Sequence, residues 1–216
     1  MHTGVEFLNA FGSPVLAAGP GTVYFAGDDN NGGPYGPANW FAYYGNYVIL
    51  EHTQANGDPV YTFYAHLSEI LVEEGQIVDG GEEIGKIGFT GAAVGPHLHF
   101  EVRTLTPDFA ALRNPEIWLE PRKNTGALAG LVLNARETPA NLDSIVLTHE
   151  KTGEKYFLRT YEAPAMMNQP PFHESFGINN LPIGRYEIAF VLGGLQKNTI
   201  KIDAGGLTRW EWRREQ

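Results

Sequence analysis

Glycine and proline interrupt this chain so often that they restrict what it can fold into. There are 26 glycines and 14 prolines among 216 residues, and the runs between them are short and rich in valine, isoleucine, tyrosine and phenylalanine. Runs of that composition bounded by turn residues read as strands, so the chain is expected to be mainly β. "YGNYVILEH", "PVYTFYAHL" and "HLHFEVR" are predicted core strands, and "GQIVDGGEEIGKIG" is predicted to give short strands joined by glycine turns. Helix is expected in two places only. "SEILVEEG" would give a turn or two, and "NPEIWLE" a short helix with Asn114 as cap and Pro115 in the first position.

The apolar runs give way to "PRKNTG" at residues 121 to 126, which marks a linker between domains at 1–120 and 127–216. A length of 216 residues, 43% of them hydrophobic, is enough for two small domains or one large one. After the linker come "GLVLNA", "SIVLTHEKTGEKYFLRTY" with a turn at Thr152-Gly153, "RYEIAFVL" and "NTIKIDAG". Evenly spaced strands of this kind predict a small β-sandwich. Trp210 and Trp212 alternate with charged residues near the end, as in a last strand packing one face.

Composition then narrows the chemistry. Acidic residues outnumber basic ones 25 to 15, a net charge of −10, which repels nucleic acid phosphates and anionic lipid. With no cysteine, disulfides and thiolate metal sites are excluded, leaving histidine and carboxylate as metal ligands. No apolar run approaches the roughly 20 residues of a membrane span, and no charged-then-apolar leader opens the chain.

In "GPHLHFEVR", residues 95–103, strand alternation puts His97, His99, Glu101 and Arg103 on one face and Leu98, Phe100 and Val102 on the other. Two imidazoles on one strand face could bind a metal, exchange protons or face solvent. In "YTFYAHLS", alternation puts His66 on the face of Thr62 and Tyr64. In "HTGVEF", Glu6 stands four residues after His2, and Gly4 with two β-branched neighbours points to a loop or strand rather than a helix.

Taken in order, "HTGVEF", "GSPVLAA", "YGNYVILEH", "YAHL", the glycine-punctuated run ending "GFTG", and "GPHLHFE" resemble the lysostaphin and LytM type of zinc endopeptidase, over residues 2 to about 119. The resemblance implies an antiparallel β-sheet peptidase domain that cleaves bacterial cell-wall peptides outside the cytoplasm, with no nucleic acid partner and no membrane span in this chain. It further implies a zinc ion held by His2, Glu6 and His99, with His66 and His97 as the acid-base and transition-state residues. The stretch "ESFGINNLPIGRYEIAFVLGGLQKNTIKID" resembles carboxypeptidase regulatory-like or transthyretin-like domains, a likeness of fold that carries no active site.

The chain departs from the peptidase pattern at Glu6, where the family has aspartate, and in having its first ligand at residue 2. Glutamate is itself a good zinc ligand, although its extra methylene moves the oxygen by about 1.5 Å. An inactive relative kept as a binding or activator module is the alternative reading. The remaining histidines are assigned structural or surface roles: His52 at the end of a strand, and His149 and His173 in the second domain. The aromatic stretch with Tyr35, Trp40, Phe41, Tyr43 and Tyr44 is expected either to wall a substrate groove or to cover its own core. Glu101 is left as either a supporting residue for His99 or a solvated strand residue.

Overall fold

The computed structural model describes residues 4–29, 35, 43–161, 168 and 172–214. The chain divides into two compact units, His2–Pro115 and Glu116–Gln216. Nearly all regular structure is β, as the turn-punctuated composition predicts. Among the described residues no helix is long and apolar enough to cross a membrane.

The first unit contains β1 (Val5–Leu8), β2 (Pro14–Leu16), β3 (Gly21–Asp28), β4 (Asn46–Thr53), β5 (Pro59–Ile70), β6 (Ile77–Val78), β7 (Glu83–Ile87), β8 (His97–Thr104) and β9 (Leu112–Arg113). Along the sheet the order is β1-β8-β5-β4-β3-β6, and the late part of β5 also pairs with β7, which pairs with β2. Every one of these pairings is antiparallel. Strand β4 is buried over residues 47–50 and strand β5 over residues 60–67, which is what a sheet covered on both faces requires of its centre.

Cross-strand register decides which residues share a face. On β8, His99 lies opposite Ala65 and Glu101 opposite Phe63, while Phe100 lies opposite Tyr64 and Val102 opposite Thr62. One side of the sheet therefore carries His99, Glu101, Phe63 and Ala65, with Tyr44, Tyr47, Ile49 and Tyr61 in the same aromatic core. Tyr35 packs into that core against Phe25 and Phe63, and Tyr44 is wholly buried. These members of the aromatic stretch cover the unit's own core, and Trp40 and Phe41 lie outside the described residues.

Both expected helices differ from the sequence reading. In "SEILVEEG", Ser68–Ile70 continue β5 because Glu69 and Ile70 pair with Lys86 and Gly85. "NPEIWLE" forms only a 3-10 turn at Pro115–Ile117.

The second unit contains β10 (Thr125–Leu133), β11 (Ile145–His149), β12 (Lys155–Leu158), β13 (Phe176–Pro182), β14 (Gly184–Val191), β15 (Leu195–Ile202) and β16 (Leu207–Arg213). They make a three-stranded sheet, β13-β10-β16, and a four-stranded sheet, β12-β11-β14-β15. Leu128, Val132, Phe176 and Leu181 from the first and Ile145, Leu147, Tyr186, Ile188 and Phe190 from the second meet in one core. Trp210 and Trp212 of β16 pack against Phe190 in that core, as their alternation predicts. His149 is buried, not on the surface: it follows Ile145 and Leu147 on the inward face of β11 and lies edge-on to Tyr186. Its Nδ1 accepts hydrogen bonds from the backbone N–H groups of Lys151 and Thr152, closing the hairpin turn. His173 is exposed.

Candidate metal centre

Edge strand β1 pairs antiparallel with β8 so that Glu6 stands directly opposite His99, and Leu8 opposite His97. That register places the Glu6 carboxylate between the two imidazoles of the opening motif. Its Oε1 lies 2.8 Å from His99 Nδ1, and its Oε2 lies 3.1 Å from His97 Nε2. Gly4 lets β1 approach this closely, since a Cβ there would meet the Phe100 carbonyl oxygen at 2.2 Å.

His99 is almost fully buried, and both ring nitrogens face carboxylates: Nδ1 faces Glu6, and Nε2 lies 3.0 Å from Glu101 Oε1. Burial alone would push its pKa down, but the bonds to Glu101 and Glu6 outweigh burial and push it up to about 9. In Glu6, burial raises the carboxyl pKa, and the bond to His99 with the nearby imidazoles more than reverses this and holds it low. The position between Glu6 and His99 is thus one that calls for a positive charge. Without a metal that charge is a proton.

His97 donates Nδ1–H to the Gly95 carbonyl, 2.8 Å away, which directs Nε2 toward Glu6. His66 donates Nδ1–H to the Thr90 carbonyl at 2.9 Å, and its ring lies 4.7 Å from that of His97 and 5.6 Å from that of His99, centroid to centroid. Burial depresses the pKa of His66, keeping it neutral with Nε2 as an acceptor.

His66 does not follow the alternation expected of it. Thr62 and Tyr64 point to the side of Phe100 and Val102, away from His99. Between the pairs Val48–Tyr64 and Asn46–Leu67, however, β5 has two residues, Ala65 and His66, against the single Tyr47 of β4. This β-bulge, with His66 at φ +64°, turns its side chain to the other face. A positive φ costs a residue with a Cβ about 1–2 kcal/mol. The conformation is held by His66 N–H donating to the Tyr44 carbonyl and by the Thr90 bond. Thr90 is itself fixed because Gly45 and Gly91 pass so close that a Cβ on Gly91 would sit 2.4 Å from the Gly45 nitrogen. Thr90 Oγ1 also donates to the Leu67 carbonyl and accepts from Asn46 N–H.

Five residues were expected to form the site. Glu6, His66, His97 and His99 come together, and His2 lies outside the described residues. Among the described residues no group of three or more histidines and carboxylates has metal-binding geometry. The donors that do converge, one carboxylate oxygen and one imidazole nitrogen, are of the kinds that zinc takes as ligands. His52 bonds to Pro20 and Thr62 on the opposite side of the sheet and takes no part.

The structure also resolves the role of Glu101. It is fully buried, and it accepts hydrogen bonds from His99, Tyr44 and Arg103. Its place on the face of His97 and His99 was legible from alternation; its burial was not.

A model of peptidase family M23 matches residues 1–111. Among curated proteins, 121 residues are 41% identical to the DD-carboxypeptidase/endopeptidase Mpg of Neisseria meningitidis serogroup B, covering 54% of this chain and 24% of Mpg. Another 40% identity over 101 residues is found with the peptidoglycan DD-endopeptidase ShyA of Vibrio cholerae, covering 47% of this chain and 20% of ShyA. The chain thus spans a quarter or less of the length of these relatives. Among solved structures, the catalytic domain of the antimicrobial peptidase lysostaphin from Staphylococcus simulans aligns at 32% identity with a TM-score of 0.43, over 53% of this chain and 76% of that domain.

Proposed function

The chain belongs to peptidase family M23 through residues 1–111, and from that premise we propose that it is a zinc-dependent endopeptidase hydrolysing peptide bonds in bacterial peptidoglycan. The observation that carries this reading is the convergence of Glu6 and His99 Nδ1 beside the imidazoles of His66 and His97. His2, Glu6 and His99 would hold the metal, with His66 and His97 as the catalytic pair. Peptidoglycan places the enzyme outside the cytoplasm. The activity is assigned to a domain at residues 1–120, and residues 127–216 to a separate β-sandwich of the regulatory-like kind without catalytic residues. Support for the peptidoglycan substrate comes from the similarity to ShyA, a peptidoglycan DD-endopeptidase.

A zinc ion bound there supplies an activated water and a Lewis acid for the peptide carbonyl. The remaining work falls to the chain. His66 and His97 each have Nδ1 committed to a carbonyl, which leaves Nε2 of His66 for proton transfer and turns Nε2 of His97 toward Glu6 at the site. One takes the proton of the attacking water, and an imidazole protonated in that way can stabilise the oxyanion and return a proton to the leaving amine. His66 has the lowered pKa suited to the neutral, accepting role. Glu101 fixes the ring of His99 from behind.

The test is release of soluble fragments from purified peptidoglycan, with metal measured by elemental analysis of protein prepared without added zinc. We expect close to one zinc per chain, hydrolysis abolished by a chelator, and recovery on adding zinc. Bound zinc without hydrolysis would instead identify a binding module.

A further inference from the structure

Resting on the metal-centre reading above, we propose that Arg103, with Glu101 and Tyr44, forms a positioning relay that sets the His99 ring for the metal and ties the aromatic stretch to it. Arg103 and Glu101 are both fully buried, at 0% exposure. A buried ion pair is weak evidence for stability, because desolvation offsets much of the attraction. The bonding pattern points to a different use.

A guanidinium has five N–H donors in a rigid fork, and every one of them is engaged here. Nε donates to Glu101 Oε2 at 3.0 Å, and one terminal nitrogen donates to the same oxygen at 2.6 Å and to the Tyr44 hydroxyl at 2.6 Å. The other terminal nitrogen donates to the carbonyls of Tyr35 at 2.8 Å and Pro107 at 2.5 Å. The Tyr44 hydroxyl in turn donates a hydrogen bond to Glu101 Oε1 at 2.9 Å, the oxygen that also accepts from His99 Nε2. Glu101 is thereby held at both oxygens, and its Oε1 is bonded to the metal ligand's ring. The guanidinium carbon stacks 3.8 Å from the centre of the Phe63 ring, which fixes the plane of the fork.

The same arginine therefore holds three things in register: the carboxylate behind His99, the backbone at Tyr35 and the hydroxyl of Tyr44. Tyr43, next in the chain to Tyr44, packs its ring nearly perpendicular to that of His99, with centroids 6.1 Å apart. A lysine has three donors and no plane, so it cannot reproduce this set. Arg103 acts through Glu101 and Tyr44 and touches neither substrate nor metal.

The experiment measures zinc affinity by competition with a chromophoric chelator, with far-UV circular dichroism to report folding. In Arg103→Lys and Glu101→Gln we expect zinc affinity to fall by roughly 10- to 100-fold while the β spectrum is kept. Tyr44→Phe removes only the hydroxyl and keeps the ring contacts, so it decides the matter if the buried-charge variants do not fold. It should weaken zinc binding in the same direction and to a smaller extent. Folded variants that bind zinc as tightly as the parent would overturn the relay and leave the metal centre standing. A parent that binds no zinc would overturn the metal-centre reading and the relay with it.

Discussion

Strands β5 and β8 lie side by side and deliver histidines to the same site by opposite means. β8 keeps strict alternation: His97, His99, Glu101 and Arg103 face one way, and Phe100 and Val102 pack on the other side. β5 abandons alternation at the one residue that matters, where the bulge at Ala65 and His66 moves an imidazole from the Tyr64 side to the His99 side. A pattern-following strand can give a face several related groups at no backbone cost. An added group from the neighbouring strand, at a position of the wrong parity, needs a local exception and something to hold it.

The largest effects should come from β8 itself and should separate its two histidines. On the proposed assignment His99→Ala removes a metal ligand, so zinc and hydrolysis should both be lost. His97→Ala should keep zinc and lower turnover by roughly 100- to 10,000-fold, the range for a lost acid or base. Equal zinc loss in the two variants, measured by elemental analysis, would show that the division of labour on β8 is misassigned.

Glu6→Asp should come next in size. The carboxylate of Glu6 now reaches His99 with one oxygen and His97 with the other. Shortening the side chain by about 1.5 Å is large against the ~0.2 Å tolerance of ligand distances. Weaker zinc binding and slower hydrolysis are expected. A Glu6→Asp enzyme faster than the parent would mean that glutamate is a misfit here.

Smaller and more diagnostic is an alanine-against-glycine pair on each strand. At His66, where φ is +64°, glycine should give a more stable protein than alanine by about 1–2 kcal/mol, because only glycine escapes the Cβ penalty. At His97, within the regular strand, the order should reverse by about 0.5–1 kcal/mol, since glycine loses more backbone entropy. Urea unfolding of the four variants measures both differences, and the same sign at both positions would remove the contrast between the strands.

How much of this the sequence contains follows the same division. The strand identities, the shared face of His97 and His99 and the core-facing tryptophans of β16 all follow from alternation. Alternation also put His149 with Ile145 and Leu147 on the inner face of β11, so its burial was there to be read. The face of His66 does not follow from alternation, because a positive φ in a residue other than glycine leaves no mark at that residue. Its trace lies elsewhere in the chain, in Gly45 and in the "GFTG" of residues 88–91, whose close approach fixes Thr90. The roles of Glu101 and Arg103 depend on burial by Tyr35 and Tyr44, which are far away in sequence. The extension of β5 over Ser68–Ile70 depends likewise on its pairing with β7.

The smallest expected effect belongs to His52, and it tests whether face alone sorts the histidines of this sheet. His52 stands opposite Val60 on β4, two steps from the pair Leu50–Thr62, so it points to the side of Thr62 and Tyr64. Unlike His66 it has no positive φ to move it across. Its ring is occupied at both nitrogens, with Nδ1 2.8 Å from the Pro20 carbonyl and Nε2 2.7 Å from Thr62 Oγ1. Since a carbonyl only accepts, Nδ1 donates to Pro20, while Nε2 sits within hydrogen-bond distance of the Thr62 hydroxyl. His52→Ala should therefore cost the stability of one or two such bonds, on the order of 0.5–2 kcal/mol in urea unfolding. Zinc content and turnover on peptidoglycan should match the parent's. If hydrolysis fell with stability intact, the two faces of the sheet would be coupled through Thr62 and Tyr64, and the contrast between a chemical face and a packing face would have to be given up.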